Sequence, residues 1–170
     1  MNSATHSPVY TTTYDRSACR VGILHLGFGA FHRAHQAVYI DDYMQVSGDL
    51  RWGIAAVNLR GSETAHFDIA DADITRNDGY YLKSYSADGD VALRLVRSHI
   101  HFADWSADKA KTEALLSEPS VHLVTITVTE SGYYTDPNGN LNAADPTMKA
   151  EIAGGTPQSV YGYLRAGLSQ

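Results

Sequence analysis

The chain has 170 residues with 44% hydrophobic and 19% charged side chains, which suits one compact globular domain and leaves no room for a second full one. A formal charge of −6 excludes unaided binding to nucleic acid or to an anionic membrane surface, since both need clustered Lys and Arg. The single cysteine, Cys19, excludes an intrachain disulfide and suits a reducing compartment, and no apolar run approaches the roughly 20 residues that cross a bilayer.

A cytoplasmic protein acting on small molecules is therefore expected. Met1–Arg20 is polar and rich in Thr and Ser and lacks the apolar centre of a signal peptide, so it reads as a flexible leader over residues 1–20. The folded domain should occupy residues 21–170. Val21–Leu26 is a mostly apolar run ending at a glycine, as expected of a strand covered on both faces. From Ala30 to about Val46, Phe31, Ala34, Val38, Ile40 and Met44 recur at helical spacing, and Ser47-Gly48-Asp49 ends the helix. Trp52–Val57 is a second apolar run, completing a strand-helix-strand crossover of the right-handed parallel kind.

Tyr80–Tyr85 and Val91–Val96 flank Ala87-Asp88-Gly89-Asp90 and predict an antiparallel hairpin inserted between the parallel strands. Asp104–Asp108 supplies capping side chains for a helix reaching about Ser117. Val121–Val128 is the run richest in β-branched residues and should be the central strand. Thr129–Pro146 reads as loop, and Thr156-Pro157 as the cap and first residue of a last helix through Tyr161 and Leu164. The sum is an α/β fold: a mainly parallel Rossmann-type sheet with helices on both faces and an inserted antiparallel hairpin.

Gly27 and Gly29 stand between the first strand and its helix. There a tight turn lets the backbone approach a pyrophosphate while N–H groups of the helix start face the anion. His32 occupies the place of the third glycine in the usual fingerprint, which serves helix-to-strand packing, so the helix should sit slightly further off. A plain glycine turn and the turn of an S-adenosylmethionine methyltransferase fit the same spacing. His32 and His35 share a helix face, but no third ligand or Cys cluster lies nearby, so no metal is expected. Asp41-Asp42 reads as solvated surface, His99 and His101 as alternating strand residues without a role, and Cys19 as an inert thiol.

"HLGFGAFHRAHQAVYIDD", "RWGIAAVNLR", "NDGYYL" and "TITVTESGYY", in that order and spacing, resemble the amino-terminal half of the mannitol dehydrogenase family of long-chain polyol and sugar-acid dehydrogenases. The resemblance covers Val21 to the end and includes the histidine in place of the third glycine. It implies a domain binding NAD or NADP and hydride transfer to or from a polyol or keto-sugar substrate. Gly27, Phe28, Gly29, Ala30 and Phe31 would line the dinucleotide, and His32 and Arg33 would flank its phosphates. Thr129 and Glu130, in "VTESGY", would lie near the nicotinamide, with Glu130 either a proton relay or a carboxylate capping a turn. Where an acid would bind the adenosine ribose of NAD, the second strand runs into Asn58, Arg60 and, further on, Glu63; these residues leave NADP open, and it is the family resemblance that implies NAD. The family's catalytic lysine lies in a helical second domain not found before Gln170, and Lys149 is no substitute. This chain alone should therefore be inactive, and a non-enzymatic dinucleotide-binding module is the alternative of another class.

Overall fold

The computed structural model describes residues 9–169. In chain order the elements are β1 (Val9–Thr11), β2 (Val21–Leu26), α1 (Ala30–Ala34), α2 (Gln36–Ser47), β3 (Gly53–Asn58), α3 (Thr64–Asn77), β4 (Tyr80–Tyr85), β5 (Val91–Val96), β6 (His99–Asp104), α4 (Lys109–Ala114), β7 (Leu123–Ile126), α5 (Pro146–Ile152) and α6 (Val160–Leu168). Four strands form an all-parallel sheet in the order β6-β3-β2-β7. The chain thus moves outward from β2 through β3 to β6, then returns to the other side of β2 for β7. That reversal makes the carboxyl ends of β2 and β7 the place where a Rossmann sheet opens a crevice.

Alternation along the inner strands divides the core into two halves. Leu24 and Leu26 of β2 join Ala55 and Val57 of β3 against Trp105, Val160 and Tyr163, so this face packs on α6. Ile23 and Ile54 point the other way and pack on Ala37 of α2 and Val96 of β5. Both inner strands are buried throughout except at Val21, as expected of strands covered on both faces.

The predicted hairpin is present, with Tyr85 opposite Val91 and Gly89 in the left-handed region at φ 85°. In chain order it falls between β3 and β6, two strands of the parallel sheet, as expected. In space it joins β1 in a separate sheet of order β1-β5-β4. Residues 9–20 of the expected leader are therefore built into the fold, because Val9–Thr11 finds a parallel partner in Leu93–Leu95. Residues 1–8 of that leader lie outside the described residues.

Four further expectations change. The helix from Ala30 breaks at His35 (φ −125°, ψ −82°), which closes α1 and opens α2. Side chains on both sides of the break, His32 and Gln36, are tied to the sheet below, a constraint that apolar spacing does not record. β7 is shorter than expected and lies at the edge of the described sheet, because β-branched composition reports fit to a pleated surface and not position within it. The last helix is capped by Ser159, whose hydroxyl accepts from the Gly162 N–H, so Thr156-Pro157 stays outside it. The polar stretch around Lys149 forms a short helix from Pro146, with Asp145 accepting from the Thr147 and Met148 N–H groups.

Asp41 also departs from expectation, since it is fully buried and not a surface acid. Its carboxylate accepts from Tyr14 (2.6 Å), Thr12 (3.2 Å), the Arg97 N–H (3.2 Å) and Arg94 Nη2 (2.9 Å), and Arg94 also grips Asp42. This knot ties α2 to β5 and to the segment after β1. Burial first, and then the bond to Asp41, pushes the Tyr14 hydroxyl well above its usual range.

Candidate functional site

A cavity of about 340 Å³ opens where the turns after β2 and β7 face each other. Gly27 adopts φ 109°, and a Cβ there would stand 2.7 Å from the Thr127 carbonyl, so the fold itself requires glycine at this position. Gly29 is different. Its φ of −70° suits any residue, and a Cβ would meet nothing within 4 Å, so no protein atom accounts for the missing side chain. Gly29 also lines the cavity.

The charge of the walls is one-sided. Arg33 and Arg60 line the cavity and no described aspartate or glutamate does, although the whole chain carries −6. Arg33 lies with its Cζ 5.1 Å from the Phe28 ring centroid, and its Nε is buried without a hydrogen-bond partner among the described residues. The Tyr80 hydroxyl donates to the Arg33 carbonyl at 2.6 Å and fixes α1 above the hairpin. Arg60 Nη2 donates to Thr129 Oγ1 at 3.0 Å, bridging the ends of β3 and β7.

The structure thus brings Gly27, Phe28, Gly29, Arg33, Asn58, Arg60 and Thr129 together around one cavity. Ala30, Phe31 and His32 stand outside it. Phe31 stacks on His35 at the exposed end of α1, and His32, expected beside the phosphates, is buried in the interior. Asn58 borders the cavity, but its side chain is already engaged: Oδ1 accepts from the Arg60 N–H (3.1 Å), and Nδ2 donates to the Arg60 carbonyl (3.0 Å) and to Asp104 (2.9 Å). Burial alone would raise the Asp104 carboxyl, but bonds from Ser106, Thr64 and Asn58 outweigh it and hold the group below its usual range. Glu130 begins the 3-10 turn Glu130–Tyr133 and lines a broader neighbouring cavity of about 890 Å³. Arg60 borders both cavities.

Beneath Phe28 lies a group of three buried histidines that sequence reasoning missed. His25 of β2 stacks on His32 with ring centroids 3.4 Å apart, and His32 Nε2 lies 2.9 Å from Nε2 of His99 on β6. Phe28 meets His99 edge-on at 5.1 Å, so its ring separates the cavity from the histidines. The contacts fit one arrangement of protons. His99 Nε2–H donates to His32 Nε2, His32 Nδ1–H donates to Gln36 Oε1, the Thr125 hydroxyl donates to the same oxygen, and His25 Nδ1–H donates to Thr125. His25 Nε2 and His99 Nδ1 then remain as bare lone pairs, which cost less than orphaned N–H groups. All three rings are neutral in this arrangement. Burial, and then the neighbouring His32, lowers His25 to about 3; burial lowers His32 to about 4 against the support of Gln36; His99 falls well below its ordinary value for the same first reason.

Sequence reasoning also missed the wall supplied by α3, which carries His66, Phe67 and Ala70 to the cavity. The signal was present, since Phe67, Ala70 and Ile74 fall at helical spacing.

Among known proteins, the model of the mannitol dehydrogenase Rossmann domain matches residues 21–170. Mannitol 2-dehydrogenase of Emericella nidulans is 36% identical over 93% of this chain and 32% of its own length. D-arabinitol 4-dehydrogenase of Ralstonia nicotianae is 34% identical over 87% of this chain and 31% of its own. Mannitol 2-dehydrogenase of Pseudomonas fluorescens, solved as a ternary complex with NAD and D-mannitol, superposes with a TM-score of 0.81 at 30% identity, over 95% of this chain and 33% of its own. A substrate-free D-sorbitol dehydrogenase gives a TM-score of 0.83 at 27% identity. The chain spans about a third of the length of these relatives. It belongs to the mannitol dehydrogenase family and covers that family's Rossmann domain.

Proposed function

We propose that the chain is the dinucleotide-binding domain of a polyol or sugar-acid dehydrogenase and holds NAD in the cavity between the Gly27–Gly29 turn and the end of β7. The observation that carries this reading is Gly29, a glycine without a protein neighbour at its Cβ position, in the lining of a cavity that also holds Arg33 and Arg60 at the switch point of the sheet. Gly29 lets the backbone come within reach of the pyrophosphate. Arg33, which lines the cavity, supplies opposing charge. Phe28 closes the cavity floor, and Thr129 and Arg60 hold the β7 side in place. When bound, the nicotinamide exchanges a hydride with a carbon bearing a hydroxyl. Glu130, which lines the neighbouring cavity, would relay the hydroxyl proton.

The cationic lining disfavours S-adenosylmethionine, whose sulfonium is positive and which brings no phosphate. No lysine lines either cavity among the described residues. These residues alone should therefore bind dinucleotide without oxidising a polyol, and measurable NAD reduction with mannitol, arabinitol or sorbitol by the 170-residue chain would refute that. Calorimetric titration of Gly29→Val with NAD tests the binding site. An unchanged melting temperature with affinity lowered about tenfold or more supports the reading, because a side chain then fills space kept for ligand while the fold is untouched. Equal affinity, or no NAD binding by the unaltered chain, overturns it.

A further inference from the structure

We infer that His99, a buried residue of β6 that lines neither cavity, is a positioning residue for dinucleotide binding: it holds the Gly27–Gly29 turn in the shape that receives the ligand. The inference rests on the dinucleotide reading above. The backbone anchors only the near end of the turn, where the Gly27 N–H donates to the Val57 carbonyl at 2.9 Å. From Phe28 to His32 no backbone group bonds to the sheet among the described residues. Nothing described lies within 4 Å of the Cβ position of Gly29 to hold it, and α1, with five residues, is too short to be stable by itself. The turn is therefore held by the side chains that flank Gly29, Phe28 on one side and His32 on the other.

Both of them meet His99. Its ring lies 5.1 Å from Phe28 at 86° and 5.0 Å from His32 at 81°, edge-to-face contacts of the favourable kind, and its Nε2 lies 2.9 Å from His32 Nε2. It also lies 5.7 Å from the ring of Tyr80, whose hydroxyl binds the Arg33 carbonyl in α1. Phe67 and Phe102 touch Phe28 as well, but neither ring contacts His32 among the described residues. His99 thus joins three supports of the turn to one strand, and β3 fixes that strand in the parallel sheet. An apolar side chain of similar size could still pack on Phe28. It would leave His32 Nε2 without its donor in the core and sever the tie between α1 and β6. A ligand meeting a loosened turn must first order it, so affinity falls although the fold stands.

The test is calorimetric titration of NAD into the 170-residue chain and into its His99→Leu and His99→Gln variants, with circular dichroism establishing that each is folded. His99→Leu should bind NAD about tenfold or more weakly while remaining fully folded. His99→Gln, which offers an amide donor at about the reach of the imidazole Nε2, should restore the affinity to within about threefold. In nitrogen-15 histidine spectra the His32 Nε2 signal should change in His99→Leu and be kept in His99→Gln. Equal affinity in folded His99→Leu, or a Gln variant as weak as the Leu variant, would overturn the inference and leave the dinucleotide reading standing. Should His99→Leu not fold, spectra of the unaltered chain decide: saturating NAD should shift the ring signals of His99, behind Phe28, and leave in place those of His122, which precedes β7 at the end away from the cavity. An unmoved His99 would overturn the inference. No NAD binding by the unaltered chain would remove the underlying reading and the inference with it.

Discussion

Acidification should unfold this domain at a pH where most carboxylates are still ionised, and the cause is the buried histidine group. Above pH about 6.5, the ordinary value for histidine, His25, His32 and His99 are neutral in both the folded and the unfolded chain. Below it the unfolded chain takes up protons that the fold refuses, because the folded values lie near 3 for His25, near 4 for His32 and well down for His99. Stability is therefore fully present above about pH 6.5 and is lost as pH falls toward 4. Each histidine contributes a slope of about 1.4 kcal/mol per pH unit once the unfolded chain is protonated. Three such groups lose about 6 kcal/mol between pH 6.5 and 5, against a total of about 5–15 kcal/mol for an ordinary domain.

The measurement is urea denaturation followed by circular dichroism at several pH values from 7.5 to 5. The slope between pH 6 and 5 should approach 4 kcal/mol per unit, about three protons. His99→Gln, which keeps a donor toward His32 but does not titrate, should reduce the slope by about one proton. A slope below one proton, or a His32 ring that titrates near its ordinary value by NMR, would refute the argument from burial.

Gly27→Ala should destabilise by about 1–3 kcal/mol, because a φ of 109° and a carbonyl at 2.7 Å both oppose a Cβ; a stable variant would show that the turn relaxes. Gly29→Ala should leave stability nearly unchanged in the same denaturation experiment, since its backbone suits alanine and its Cβ direction is open. Asp41→Ala should cost about 3–5 kcal/mol, as it strands Tyr14, Thr12 and the Arg97 N–H and leaves Arg94 with Asp42 alone; a loss under about 1 kcal/mol would mean that water or Asp42 replaces the carboxylate.

How far the sequence could be read depended on the range over which each signal acts. The two inner strands, the glycine turn and the hairpin were legible because alternation, glycine spacing and a turn tetrad are local patterns, and the same local words carried the family resemblance. Asp41 and Asp42 show the limit. Adjacent acids on a helix look solvated from sequence, and only the approach of Arg94, some fifty residues on, and of Tyr14 from the other side turns one of them into a core group. His25, His32 and His99 fail to stand out for the same reason, since they come from β2, α1 and β6 and meet only after two crossovers. The break at His35 follows from that meeting. A side chain drawn into the sheet at His32, with Gln36 held by Thr125, sets where the helix must turn, whatever its apolar spacing prefers. The parts of the candidate site read from sequence were therefore those on a single turn. The cationic wall, and the floor of Phe28 over neutral histidines, exist only because β2, β3, β6 and β7 end side by side.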